Sequence, residues 1–162
     1  MNKIIHGDCL EVMKTLEDNS IDMVLTSPPY DNLRDYDGYT FDFEGIAKEI
    51  FRVLKQGGVC VWVVGDATIK GSETGTSFKQ ALYFKEIGFN LHDTMIFQKK
   101  NPIPQIYRKR YNNIFEYMFV FSKGEVKTHN PIEIDCLHAG LELNGTTYKN
   151  HSKGVQKRGK MA

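Results

Sequence analysis

Four consecutive residues, Ser27, Pro28, Pro29 and Tyr30, carry the clearest chemistry in the chain. A hydroxyl, two residues without a backbone donor and an aromatic ring follow one another directly after an apolar run. That order suits a site that takes an amino group, holds its plane against an aromatic face and accepts hydrogen bonds from it. Two other polar pairs, Gly7-Asp8 and Gly65-Asp66, also close apolar runs. A further group has a different chemistry: Lys99, Lys100, Arg108, Lys109 and Arg110 form a basic stretch free of acids. Such a stretch is either solvated surface or, gathered on one face, a set of phosphate contacts for nucleic acid.

For these residues to meet, the ends of several strands must come to one edge. Residues 3–6 read as a short apolar strand closed by Gly7-Asp8. Residues 9–16 place Leu10, Val12, Met13 and Leu16 at helical spacing, and Asp18-Asn19-Ser20 ends that helix. Residues 22–26 form a nearly continuous apolar run, as in a parallel strand covered on both faces. After a loop over 27–39, the stripe Ile46, Ala47, Ile50, Phe51, Val53 and Leu54 predicts an amphipathic helix over 43–54. Gln56-Gly57-Gly58 stops it, and 59–64 is the clearest buried strand. Residues 65–76 read as a Gly/Ser/Thr-rich loop and 78–87 as a helix with Gly88 as its C-terminal cap. Residues 91–98 and 114–121 are two further strands around the basic, proline-containing loop. Beyond Lys123 the periodicity fades, and the basic tail (Lys149, Lys153, Lys157, Arg158, Lys160) is not expected to form a compact unit.

Strands alternating with helices predict an α/β fold with an open, mostly parallel sheet and helices on both faces. Ligands of such sheets lie beyond the carboxyl ends of the strands. Gly7-Asp8, Ser27-Pro28-Pro29-Tyr30 and Gly65-Asp66 each follow an expected strand, so all three should land on one edge.

Composition is that of a globular protein, 41% hydrophobic with a formal net charge of +1. No apolar run approaches the ~20 residues of a membrane span. The N-terminal residues turn polar too early for a signal peptide, so a cytoplasmic location without membrane association is expected. Cys9, Cys60 and Cys136 lack paired spacing and read as reduced thiols, with no metal site.

Ser27-Pro28-Pro29-Tyr30, entered from the strand Asp22-Met23-Val24-Leu25, resembles the (D/N/S)-P-P-(Y/F) motif of S-adenosylmethionine-dependent DNA amino-methyltransferases. The resemblance implies a Rossmann-like methyltransferase sheet and a DNA substrate whose target base is flipped out and stacked on an aromatic ring, here Tyr30. It assigns Ser27 and the Pro28 carbonyl as acceptors for the exocyclic amine, which then attacks the sulfonium methyl in line. Orientation and electrostatics would do most of this work. His6-Gly7-Asp8-Cys9-Leu10 looks like the segment whose aspartate binds the cofactor's adenine, a role that falls on Asp8; a helix N-cap is the other reading of that residue. Phe51-Arg52-Val53-Leu54-Lys55-Gln56-Gly57-Gly58 resembles the family's helix–turn–strand. Asp66, at the end of that strand, would contact the base or order its loop. The resemblance spans roughly residues 3–123.

The chain departs from the family in one respect. The Phe-x-Gly-x-Gly turn that cradles the cofactor's methionine end is not found; Gly71-Ser72-Glu73-Thr74-Gly75-Thr76 lacks its lead-in and follows the wrong strand. In the permuted branch, with Ser-Pro-Pro-Tyr first, that signature lies C-terminal. The expectation is therefore a C-terminally truncated chain: residues 1–123 a partial catalytic domain, and 124–162 the start of a target-recognition region or a disordered basic tail. Two strands would be missing between 3–6 and 22–26, and the chain alone should be weakly active or inactive. Ser before Pro-Pro favours cytosine N4 as target, with adenine N6 the alternative. RNA or protein amide methylation fits less well, since those relatives carry Asn first. A non-catalytic nucleic-acid-binding fragment is the alternative of another class. A cognate restriction endonuclease is a further possible partner.

Overall fold

The computed structural model describes residues 2–29, 41–102, 104 and 109–130. The chain falls into two units, residues 1–129 and 130–162, and nearly all of the second lies outside the described residues.

The first unit begins with α1 (Cys9–Lys14) and β1 (Ile21–Thr26). The helix α2 (Phe43–Val53) starts where the Asp42 side chain accepts the Gly45 N–H, a cap for an otherwise unpaired donor. Its stripe Ile46, Ala47, Ile50 and Val53 is buried. The chain passes straight into β2 (Leu54–Val64), whose first residues bulge: Ile21 pairs with Leu54, but Met23 already faces Val59. Gly58 sits within that bulge, where a Cβ would lie 2.9 Å from the Asp22 carbonyl oxygen.

The segment expected to be loop after β2 contains a small hairpin, β3 (Thr68–Ile69) and β4 (Ser72–Glu73). Lys70 (φ +50°) and Gly71 (φ +83°) form its turn. Two positive φ values in a two-residue connection are the geometry that matches strand twist, and an x-Gly pair was the available sequence signal for it. The helix α3 (Thr76–Glu86) ends as expected at Gly88, which stands at φ +112°. Its N–H donates to the Lys85 carbonyl and the Phe89 N–H to the Phe84 carbonyl, with the Phe84 and Phe89 rings in edge contact at 5.4 Å. That is the Schellman closure with its apolar clasp. The strands β5 (Asn90–Gln98) and β6 (Phe115–Ser122) complete the unit.

The main sheet has the order β1-β2-β6-β5. It belongs to the α/β class but is mixed: β1 and β2 run parallel, while β2–β6 and β6–β5 are antiparallel. All three described helices pack on one face. There Trp62, Cys60, Val64, Phe119 and Phe121 meet Ile46, Ala47 and Ile50 of α2 and Ala81 and Phe84 of α3. The Trp62 indole donates to the buried Gln80 amide oxygen at 2.8 Å, so the largest core side chain leaves no polar atom unpaired. The opposite face, built from Met23, Leu25, Val59, Val61, Val63, Met95, Phe97, Met118 and Val120 by strand register, carries no described helix. Leu25 is 67% and Phe97 52% exposed there.

One expected element is absent. Residues 3–6 form no strand; Ile4 and Ile5 stand 99% and 49% exposed. An extended segment needs neighbours for its backbone groups, and no described strand pairs with the outer edge of β1.

Candidate functional site

The parallel pairing of β1 with β2, with Thr26 opposite Trp62, brings the carboxyl ends of both strands to the same edge of the sheet. Ser27-Pro28-Pro29 follows one and Gly65-Asp66 the other. Pro28 is buried, Pro29 half-buried and Ser27 exposed. Because β6 is antiparallel to β2, its start comes to this edge too: Val64 pairs with Tyr117, and Phe115 pairs with Gln98 at the end of β5. The basic segment between β5 and β6 is thereby delivered to the edge that carries Ser27 and Asp66.

Around the end of β2 lies a cavity of about 430 Å³, lined by Asp66, Glu73, Arg110, Tyr111, Asn113 and Tyr117 among others. Asp66 is the lining residue with the most hydrogen bonds to the neighbouring segment. One carboxylate oxygen accepts from the Ser77 N–H at 2.9 Å and the Thr74 hydroxyl at 3.3 Å, and the other accepts from the Ser77 hydroxyl. The residue at the N-cap of α3, Gly75, offers no side chain, so Asp66 caps that helix from upstream. Of the two roles open to Asp66, ordering the loop is the one its contacts display.

The basic residues divide by what they touch. Lys99 pairs with Glu116 at 2.9 Å, and Arg110 with Glu73 at 3.1 Å and the Gly71 carbonyl at 2.6 Å. Lys100 and Lys109 are exposed. Arg108 and Tyr30 lie outside the described residues. Asp8 is an N-cap: its Oδ1 accepts from Leu10 N–H at 3.0 Å and Glu11 N–H at 3.2 Å, opening α1. Its expected place on the common edge depended on a strand at 3–6, and that strand is not formed.

Sequence reasoning missed what holds the opposite edge. Lys123, 7% exposed, donates to the Asn19 side-chain oxygen at 2.9 Å and to the carbonyls of Phe51 and Leu54 at 2.6 and 2.9 Å, with its ammonium over the Phe51 ring. Burial draws its pKa below the usual lysine range, and the negative charge of Asp18 opposes that. Arg52 joins Glu49 and Asp18 to the Met13 and Leu16 carbonyls, and there the shift is the opposite of that at Lys123: the Glu49 and Asp18 carboxylates raise its pKa and hold its charge. No local pattern announces such contacts, because they join residues 13–19, 49–54 and Lys123, which lie far apart in the chain.

A family model described as DNA methylase, N6_N4_Mtase, matches residues 21–162. The chain is 62% identical over 118 residues to the orphan methyltransferase M.BamHII of Bacillus amyloliquefaciens, a match covering 72% of this chain and 44% of that protein. Among solved structures, the cytosine-N4-specific PvuII DNA methyltransferase shares the fold at a TM-score of 0.60 and 24% identity, over 74% of this chain and 48% of its own. A putative DNA modification methylase from Thermus thermophilus, solved complexed with S-adenosyl-L-methionine, matches at a TM-score of 0.58 and 25% identity, over 78% and 57%. The chain thus spans about half the length of these proteins.

Proposed function

The chain belongs to the N6_N4_Mtase family of DNA methylases, and from that premise we propose that it carries the base-holding side of a DNA amino-methyltransferase that takes its methyl group from S-adenosylmethionine. The observation that carries this reading is the placement of Ser27-Pro28-Pro29 on the same strand edge as the Asp66 cavity and the basic segment. In that arrangement the Ser27 hydroxyl and Pro28 carbonyl accept the two N–H bonds of a flipped base's amine. Acceptors placed there draw the nitrogen toward a tetrahedral, nucleophilic geometry and orient it for in-line attack. Tyr30 follows as the stacking ring. Lys99, Lys100, Arg108, Lys109 and Arg110 supply phosphate contacts around the entry.

The described residues fit the base side of such a site better than the cofactor side. One carboxylate oxygen of Asp8 is engaged by α1, and no described strand extends the sheet past β1. When bound, S-adenosylmethionine would supply the electrophilic methyl group, with Asp8 as the contact to its adenine. The β1 edge, which no described strand joins, and the apolar sheet face, on which no described helix packs, are where the remaining strands and helices of a complete enzyme would pack. On this reading the 162-residue chain alone methylates DNA poorly. Its working partners are duplex DNA and, in a restriction-modification setting within the cytoplasm, a cognate endonuclease. No described helix is long and apolar enough to cross a membrane.

Serine before Pro-Pro favours cytosine N4 over adenine N6. The test is nucleoside analysis of DNA from cells expressing residues 1–162 within a full-length family context: N4-methylcytosine is expected, and Ser27→Ala should abolish it. N6-methyladenine in its place would reassign the base while keeping the reaction. No methylation by the unaltered full-length protein, with duplex affinity unchanged in Ser27→Ala and Tyr30→Ala, would instead leave only nucleic-acid binding.

A further inference from the structure

The hairpin tip and the end of the basic loop build a feature that base methylation does not itself require. Thr68, Lys70 and Gly71 of the hairpin line a concavity of about 510 Å³ together with Lys109 and Arg110. Three cationic side chains therefore border one hollow. The turn geometry contributes to this: Lys70, held at φ +50°, sits at the apex of a connection most easily formed by Asn or Gly.

Within this group Arg110 already has occupants for its planar fork. Nη1 donates to the Gly71 carbonyl at 2.6 Å and Nη2 to the Glu73 carboxylate at 3.1 Å. Two oxygens on adjacent guanidinium nitrogens reproduce the acceptor pair that a phosphodiester offers. The Glu73 side chain is 57% exposed and that of Arg110 30%, so this is a surface pair of the kind that contributes little to stability and exchanges readily. The Lys99–Glu116 pair differs. Its carboxylate partner is 19% exposed and sits on β6 within the sheet, where exchange is harder.

We propose that Lys70, Lys109 and Arg110 form a seat for the backbone phosphates of duplex DNA, and that Glu73 fills the Arg110 fork in the free protein until a phosphodiester displaces it. The proposal rests on the DNA-methyltransferase reading and adds to it Lys70 as a contact and Glu73 as an intramolecular stand-in for phosphate. Displacement of Glu73 removes one of the two ties between Arg110 and the hairpin and leaves the Gly71 carbonyl as the other, so docking of the backbone and loosening of one cavity wall become the same event. Glu73, left beside the incoming phosphates, also opposes binding by its own charge.

The test is fluorescence anisotropy of a labelled duplex with the 162-residue chain, titrated between about 50 and 200 mM salt. Glu73→Gln is expected to tighten binding about threefold to tenfold at the low-salt end, where charge effects are least screened. Lys70→Ala and Lys109→Ala should each reduce the slope of log K against log salt by about 0.9. Lys99→Ala should change the slope less than either. In an Arg110→Ala background the gain from Glu73→Gln should shrink, because the fork it releases is gone. Unchanged affinity in Glu73→Gln, or an unchanged slope in Lys70→Ala, with circular dichroism showing an intact fold, overturns the seat and leaves the DNA reading standing. Absence of duplex binding by the unaltered chain overturns both.

Discussion

Asp66 shows how far a single carboxylate was readable. Its position after a buried strand was legible, but its partners were not, since Ser77 and Thr74 become neighbours only once the hairpin folds back. As the remote cap of α3 it should be worth what a side-chain cap is usually worth. Asp66→Ala is expected to lower stability by about 1–2 kcal/mol in urea denaturation, with Asp66→Asn recovering part of the loss. The cysteines make a second contrast. Cys60 is fully buried, and burial pushes its thiol from 9.0 up to about 12, while Cys9 is exposed at the start of α1. At pH 8 a maleimide should label Cys9 and spare Cys60 until the protein is denatured, as peptide mapping would show. A thiol whose folded pKa is raised contributes fully to stability below the unfolded value and loses that contribution as pH climbs from 9.0 toward about 12. Alkaline titration of the unfolding free energy should fall across that interval, less so in Cys60→Ala.

At the scale of elements, patterns confined to one segment were legible and those requiring a neighbour were not. The stripe of α2, the Gly88 closure of α3 and the strands β1, β2, β5 and β6 each follow from spacing within a dozen residues. Residues 3–6 have the composition of a strand and no described strand to join, which is why they fail. The Lys70-Gly71 hairpin was hidden by the low apolar content of its arms, since its two pairs are fully at the surface. Lys123 reads in sequence as one more basic residue after a strand, yet it ties the end of β6 to the end of α2 and to Asn19. Lys123→Met keeps much of the aliphatic stem and removes the donor. It should cost about 1–3 kcal/mol, because the Phe51 and Leu54 carbonyls then lack a partner, and thermal denaturation would report it.

Across the whole molecule, the α/β class and the strand edge that gathers the site were legible, because both depend only on the order of elements. The sheet face without a described helix was not: an apolar strand looks the same in sequence whether one face or both are covered. Met23, Leu25, Met95 and Phe97, each about half exposed or more, leave a large apolar surface against water. The chain is therefore expected to enhance the fluorescence of an anilinonaphthalene sulfonate dye in its folded state. Leu25→Thr combined with Met95→Thr should reduce that signal without loss of helical circular dichroism. A folded chain that leaves the dye dark would show the face to be covered in solution.

The cage around the Lys123 ammonium has one more consequence, which concerns time rather than energy. It fastens the amino-terminal end of the parallel pair, whereas the carboxyl-terminal end is closed by a two-rung hairpin and a surface ion pair. Opening should therefore spread from one end only. Amide deuteration should sweep along β2 from Val64 back toward Cys60, so that the edge built for chemistry can breathe on its own while the far end keeps count of the fold.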